Sequence, residues 1–390
     1  MLVIPNSRSL RVRDLLLLPD RWSLPSDIYI FASPPPSRKL SLQTRRAAPR
    51  VRSSANLTYR FRDLLALEPL SADELTFILD QAKPFQEIQR HPLKKLATLR
   101  GKTVALAFFE NSTRTRLSFA TAASRLGADT MNLQAEASSL KKGETLLDTA
   151  NNLNAMRPDC FVMRHASSGA ADFVARHLEI PVVNAGDGTH EHPSQGLLDA
   201  LTIRDRVGHL NNLNVIILGD IAHSRVARSN IHLLGKFGCR FTLCGPAMWV
   251  PRELEKIGPP DTQIRCVYRV EEALEDADVI IVLRVQTERL NEPSLSQSDY
   301  ILLYQLNAER MKLAKPDALI LHPGPINRGM EITPEVADGP QSAVLEQVTN
   351  GVATRMAILY LLMVGASEGT HPALEVKPDA KSKESAHASD

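Results

Sequence analysis

Short apolar runs alternate with amphipathic stretches through the middle of this chain. The runs Thr103–Phe109, Asp159–Met163, Pro181–Val183, Asn214–Leu218, Arg240–Leu243, Val279–Leu283 and Ala318–Leu321 have the length and composition of buried strands. Apolar residues recur at helical spacing over Ser71–Gln81, Leu146–Met156, Pro193–Val207, Val226–Phe237, Glu271–Ala277 and Leu345–Met363. Another helix follows Thr115 through Leu117, Phe119, Ala120, Ala123 and Leu126 and stops at Gly127. Strand alternating with helix predicts an α/β protein with parallel sheets, split into two halves whose boundary falls in the helix beginning at Pro193.

The ends break this pattern. Residues 1–54 lack periodicity, hold Pro34-Pro35-Pro36 and scattered Arg and Ser, and read as a disordered basic extension. Residues 367–390, rich in Ala, Ser, Lys and Glu, read as a disordered tail. Between them the expected domains are 55–193 joined by 345–366, and 194–344, with 194–207 as the connecting helix.

Composition narrows the class. With 43% hydrophobic and 23% charged residues in 390, the chain is ordinary for a globular protein of two cores plus tails. No apolar run reaches the roughly 18–20 residues of a membrane helix. Ten Lys/Arg against three Asp put +7 on residues 1–53, so the rest of a chain of net +2 carries −5. A mildly acidic body does not suit nucleic acid, so its arginines matter by placement. The four cysteines form no C-x-x-C pair, which argues against a metal site and for buried thiols in a cytoplasmic protein. The Arg-rich, acid-poor start leaves an organelle transit peptide as the alternative.

Candidate chemistry gathers at the predicted strand ends, where open parallel sheets bind ligands. After Phe109 come Ser112, Thr113, Arg114, Thr115 and Arg116, leading into a helix. Free N–H groups, the helix dipole, hydroxyls and a guanidinium together make a cradle for phosphate. Ser112 or Thr113 acting only as a cap is the simpler reading, but capping needs neither arginine. Arg164 and His165 follow Met163; His192 and Gln195 flank Pro193 at a helix start. Gly219, Asp220 and Arg225 follow Leu218; Arg284 and Gln286, two apart on one strand end, suit a carboxylate. His322-Pro323-Gly324-Pro325 follows Leu321. Several cations at ends of one type predict a cleft for a multiply anionic ligand. Ser138-Ser139-Leu140-Lys141-Lys142-Gly143 reads by composition as a surface loop. No complete G-x-G-x-x-G, G-x-x-x-x-G-K-[ST] or H-E-x-x-H is present, which weighs against a dinucleotide-dependent reductase.

Seven blocks then appear in one register: Phe108-Phe109-Glu110-Asn111-Ser112-Thr113-Arg114-Thr115-Arg116, Ser138 to Thr145, Met163-Arg164-His165, Asn184 to Gln195, Gly219 to Arg225, Arg284 to Leu290, and His322 to Gly329. Over about residues 55–365 the chain resembles the aspartate/ornithine carbamoyltransferase family, and its aspartate-specific members in particular. The resemblance implies two doubly wound parallel-sheet domains with the active site in the cleft between them. It implies transfer of a carbamoyl group from carbamoyl phosphate to the amine of L-aspartate, the committed step of de novo pyrimidine biosynthesis, without cofactor or metal. By matching motif position, Ser112, Thr113, Arg114 and Thr115 would hold the phosphate. Thr115, Arg164 and His192 would surround the carbonyl oxygen. Gln195 with the backbone at Gly324 and Pro325 would hold the carbamoyl nitrogen. Arg225, Arg284 and Gln286 would bind the aspartate carboxylates. Ser138 and Lys142 would reach a neighbouring subunit's site, implying a homotrimer with shared sites, compatible with a larger assembly carrying regulatory or dihydroorotase-like chains.

Two features bear on that expectation. Ornithine-specific relatives carry a Ser-Met-Gly block and a His-Cys-Leu-Pro loop, where this chain has Arg284-Val285-Gln286 and His322-Pro323-Gly324-Pro325. Gly324 stands where family members often have a larger aliphatic residue, and Ser194 where threonine is common.

Overall fold

The computed structural model describes residues 61–134, 143–285 and 295–365. The expectations for the two ends, and for Ser138, Lys142 and Gln286, lie outside these residues.

Two separate parallel sheets form. The first takes β1 (Thr103–Phe108), β2 (Asp129–Gln134), β3 (Cys160–His165) and β4 (Val182–Asp187) in the order β2-β1-β3-β4. The second takes β5 (Asn214–Leu218), β6 (Arg240–Cys244), β7 (Ile264–Val267), β8 (Val279–Val282) and β9 (Leu319–Leu321) in the order β7-β6-β5-β8-β9. In each sheet the chain first builds to one side of its starting strand and then crosses to the other. The reversal falls between β1 and β3 in the first sheet and between β5 and β8 in the second. Neighbouring loops diverge at such a point, which opens a crevice at the strands' carboxyl ends.

The helices include α1 (Ala72–Arg90), α2 (Thr113–Leu126), α3 (Leu146–Ala155), α4 (Ala170–Ala175), α5 (Pro193–Val207), α6 (Arg225–Gly235), α7 (Val270–Leu274), α8 (Gln297–Tyr304), α9 (Ala308–Met311), α10 (Pro334–Ala337) and α11 (Val344–Met363). Two of them tie the halves together. Helix α5 leaves the first sheet, packs on α6 and β9, and is buried from Pro193 through Ile203. Helix α11 returns from the second half to pack on α1, α2 and α5. Neither has a wet face over its buried length, as expected of helices packed on several sides. One hydrophobic core accordingly runs from Leu64 and Val104 through Leu197 and Ile217 to Ile320 and Met356. A second cluster around Phe161, Met163 and Val174 fills the other face of the first sheet. All four cysteines are free and buried within these layers. Among the described residues, no helix is long and apolar enough to cross a membrane.

Three differences from the sequence expectations have physical causes. Helix α1 runs past Gln81 to Arg90 with Pro84 inside it. The carbonyl that Pro84 leaves unpaired belongs to Asp80, which is exposed, while Leu75, Ile78, Leu79, Ala82 and Phe85 hold the helix to the core. Strands β2 and β7 give no continuous apolar run: Asp-Thr-Met-Asn-Leu-Gln alternates polar and apolar residues, and Arg265 interrupts the four residues of Ile-Arg-Cys-Val. Helices α4 and α8 are short, six and eight residues, below the length at which helical spacing stands out.

Candidate active site

The carboxyl ends of both sheets open onto one cleft of about 1140 Å³. From the first half it receives Ser112, Thr113, Arg114, Thr115, Arg164, His192 and Gln195. From the second it receives Arg225, Arg284, Gly324 and Pro325. Every described residue to which the resemblance gives a role lines this cleft, whereas Arg116, His165 and Gly219 do not.

The anion end is built locally. Strand β1 is buried from Val104 to Phe108, and the chain turns through Glu110 into α2. Ser112 holds the N-cap position with extended backbone, yet its hydroxyl makes no capping bond. The residues in that position on α1, α3, α6 and α8 (Ser71, Thr145, Ser224 and Ser296) all cap their helices. The first turn of α2 thus keeps its N–H groups, its hydroxyls and the positive end of its dipole for something else.

Across the cleft a carboxylate ties the halves together. Glu110 accepts from Arg225 through both oxygens, Nη2 to Oε1 at 2.7 Å and Nη1 to Oε2 at 3.0 Å. It also accepts from Arg164 Nη2 at 2.8 Å. Burial disfavours its charge, but the hydrogen bonds and charges of Arg225 and Arg164 outweigh that and hold the carboxyl below its ordinary value. Gly186, at φ +113°, makes room for this: a Cβ there would lie 3.0 Å from Arg225 Nε and 3.4 Å from Arg164 Nη1.

Arg114 makes no ion pair among the described residues. Partial burial lowers its pKa, and the charge of Arg284 adds to the effect, so two cations from opposite halves share the space between the sheets. The loop after β9 meets Arg114 directly. A Cβ on Gly324, at φ +65°, would sit 3.1 Å from the Arg114 guanidinium carbon. The absence of a larger side chain at 324 lets the guanidinium lie against that loop. The loop backbone is set from beneath by His322, fully buried with Glu331. Its Nδ1 accepts the Gly324 N–H at 2.8 Å, so the ring proton belongs on Nε2, which donates to Glu331 Oε1 at 3.0 Å. The Gly324–Pro325 peptide bond is cis.

His192 ends the approach to α5. Its N–H donates to Ser229 Oγ at 2.8 Å, and that hydroxyl donates to Glu191 Oε2 at 2.8 Å, anchoring it to α6. Burial pushes its pKa well below the usual value, and Arg164, Arg355 and Arg225 push the same way, so the ring is neutral near pH 7. Gln195 donates from Nε2 to Asp199 Oδ1 at 2.8 Å.

Sequence reasoning missed four contributors. The sequence places Glu110 only within a motif block and His322 only at the head of the loop after Leu321, and it singles out neither Arg355 nor Asp199. Arg355 lies 4% exposed beneath α2, donating to Ser118 Oγ at 2.9 Å and stacked 5.1 Å over the Phe119 ring. A charged residue in the apolar α11 pattern was the available signal. For Asp199 it was the i, i+4 spacing from Gln195. Among the described residues, no cluster of His, Cys, Asp and Glu is arranged to hold a metal ion.

Comparison with known proteins matches this architecture. Residues 62–205 match the family described as "Aspartate/ornithine carbamoyltransferase, carbamoyl-P binding domain". Residues 211–362 match "Aspartate/ornithine carbamoyltransferase, Asp/Orn binding domain". The chain is 55% identical over 296 residues to the aspartate carbamoyltransferase catalytic subunit of Solibacter usitatus, covering 76% of this chain and 97% of that protein. It is 51% identical over 310 residues to the corresponding subunit of Syntrophotalea carbinolica, covering 79% and 97%. Among solved structures, it resembles aspartate transcarbamoylase from Trypanosoma cruzi in complex with carbamoyl aspartate and phosphate. The TM-score is 0.69 at 30% identity, over 77% of this chain and 95% of that one. It resembles ornithine carbamoyltransferase from Pyrococcus furiosus to a similar degree, with TM-score 0.68 and 30% identity over 77% and 97%.

Proposed function

The chain belongs to the aspartate/ornithine carbamoyltransferase family, and from that premise we infer that it transfers the carbamoyl group of carbamoyl phosphate to L-aspartate, releasing N-carbamoyl-L-aspartate and phosphate. The observation that carries this reading is the convergence of two kinds of anion site in one cleft: an uncapped helix start rich in hydroxyls, and arginines from the opposite sheet. Overall fold does not choose the acceptor, since aspartate and ornithine enzymes resemble it equally. Arg225 and Arg284 favour an acceptor with carboxylates to spare, and relatives 55% and 51% identical to the chain carry the aspartate name.

Phosphate binds Ser112, Thr113, Arg114 and Thr115 at the start of α2. The carbamoyl oxygen faces Thr115, Arg164 and neutral His192, and its amino group faces Gln195 and the backbone at Gly324 and Pro325. Arg225, Arg284 and Gln286 receive the aspartate carboxylates. The aspartate amine attacks the carbamoyl carbon, forming the C–N bond as negative charge collects on the carbonyl oxygen. The C–O bond to phosphate then breaks, and the phosphate takes up the amine proton. Donors fixed toward the oxygen and the leaving group lower the barrier, and side-by-side binding of two anions supplies proximity. His192 acts as a hydrogen-bond donor, because a ring kept neutral has no proton to lose as an acid near pH 7.

Ser138 and Lys142 complete the site of a neighbouring subunit in a homotrimer, and the protein works in the cytoplasm. Carbamoyl aspartate formation from carbamoyl phosphate and L-aspartate, with and without residues 1–54, tests the main reading. Carbamoylation of ornithine in place of aspartate would overturn it. For the trimer, mixing Lys142→Ala with Arg164→Ala chains restores part of the activity. Verified mixed trimers without recovery would rule out a shared site.

A further inference from the structure

Asp199 lies one turn beyond Gln195 on α5, completely buried, and three side-chain amides converge on it. Gln195 Nε2 and Gln347 Nε2 donate to Oδ1 at 2.8 and 2.7 Å, and Asn230 Nδ2 donates to Oδ2 at 2.8 Å. The donors come from α5, α11 and α6, so the carboxylate joins three helices. A carboxylate can only accept, so each amide must turn its NH₂ inward and its oxygen away. For Gln347 that oxygen accepts the His322 N–H at 2.9 Å, at the root of the Gly324–Pro325 loop. For Gln195, which lines the cleft, the oxygen is left for a ligand.

We propose that Asp199 is a positioning residue that sets the polarity of the carbamoyl amino subsite, holding Gln195 with its amide oxygen toward the substrate and fastening the His322–Pro325 backbone through Gln347. A carbamoyl NH₂ offers two hydrogens and needs acceptors. A Gln195 amide turned the other way would set donor against donor, and nothing in a glutamine alone prevents that turn. A carboxylate surrounded by donors is the one common side chain that forbids it, and this accounts for a buried charge without a directly bonded cation. The inference rests on carbamoyl phosphate occupying the cleft.

The test is steady-state kinetics on the full chain. Asp199→Leu, close in volume, takes away both acceptor oxygens so that nothing holds the Gln195 amide in one sense, and the KM for carbamoyl phosphate rises about 10-fold, the effect of one mispaired buried polar group. The KM for aspartate changes little. In a Gln195→Ala background the same substitution changes the carbamoyl phosphate KM less than about 3-fold, because its main point of action is gone. A wild-type KM in Asp199→Leu, or an equal rise in both backgrounds, overturns the proposal. Should Asp199→Leu fail to fold, Gln347→Met decides: it keeps the volume but cuts the link to His322, and an unchanged carbamoyl phosphate KM overturns the proposal. A wild-type chain that makes no carbamoyl aspartate would instead bring down the functional reading, and this inference with it.

Discussion

The two sides of the proposed anion site are built by different means. On the first sheet's side the cradle is a run of neighbours, Ser112 to Thr115, delivered by β1 and stiffened by α2. Backbone N–H groups and a helix dipole do much of the work there, and they stand in place once the helix forms. On the second sheet's side the cations are single long side chains, Arg225 and Arg284, brought together from α6 and the end of β8. Such side chains carry rotamer entropy and need to be held. Glu110 does this for Arg225, reaching from the first side to the second and satisfying the guanidinium through two bonds. The contrast separates a site made rigid by local chain geometry from one made rigid by tertiary ion pairing.

Four measurements would break or sharpen that comparison. The largest effect belongs to Arg114→Ala, which removes the cation at the leaving group and lowers kcat about 10²–10³-fold, as loss of a preorganised donor does. Turnover near wild type would show the backbone cradle sufficient by itself. Arg284→Ala acts on binding instead, raising the KM for aspartate about 10–100-fold with a smaller change in kcat. A normal aspartate KM would remove the second side from acceptor binding.

Glu110→Gln weakens the hold on two arginines that then repel each other. About 1–2 kcal/mol of stability is lost, allowing for the one-third exposure of the carboxylate, and aspartate binding weakens about tenfold. An aspartate KM unmoved by this change would mean that the arginines keep their places without the bridge.

The smallest effect is in the pH dependence of stability. His192 is neutral in the fold and takes up a proton near pH 6.5 when unfolded, so its contribution is present above pH 6.5 and is lost as pH falls below it. Asp199 has the opposite sign. Burial raises its pKa to about 6 against three hydrogen bonds and the charge of Arg355, so its contribution is full below the usual carboxylate range and fades as pH rises through about 6. His192→Asn should flatten the acid limb by up to about 1.4 kcal/mol per pH unit below 6.5, read from urea midpoints at pH 7.5 and 5.5. Identical limbs for variant and wild type would mean that His192 is not held neutral.

The same contrast governs what could be read in advance. Strand β1, the loop to α2 and the run Ser112–Thr115 are contiguous, so composition and order suffice to mark a candidate anion site. The roles of Glu110, Asp199, His322 and Arg355 depend on partners far along the chain, Arg225 for Glu110 and Gln347 for Asp199. No local pattern encodes such a pairing. Strands β2 and β7 escaped notice for a local reason: alternating polar residues in one and Arg265 within the four residues of the other break the apolar run that the edge strands β4 and β9 keep.

By itself, then, the order of residues determined that strands alternate with helices, that cations stand at the strand ends, and that one helix begins in a hydroxyl-rich anion cradle. These are properties of periodicity and adjacency, which act over a few residues. Only the tertiary structure decided that two sheets turn their reversal points toward one cleft, that Glu110 spans it, and that three amides turn their NH₂ groups onto Asp199. Those outcomes depend on long-range packing, because burial and hydrogen-bond polarity take meaning only once distant segments exclude water together.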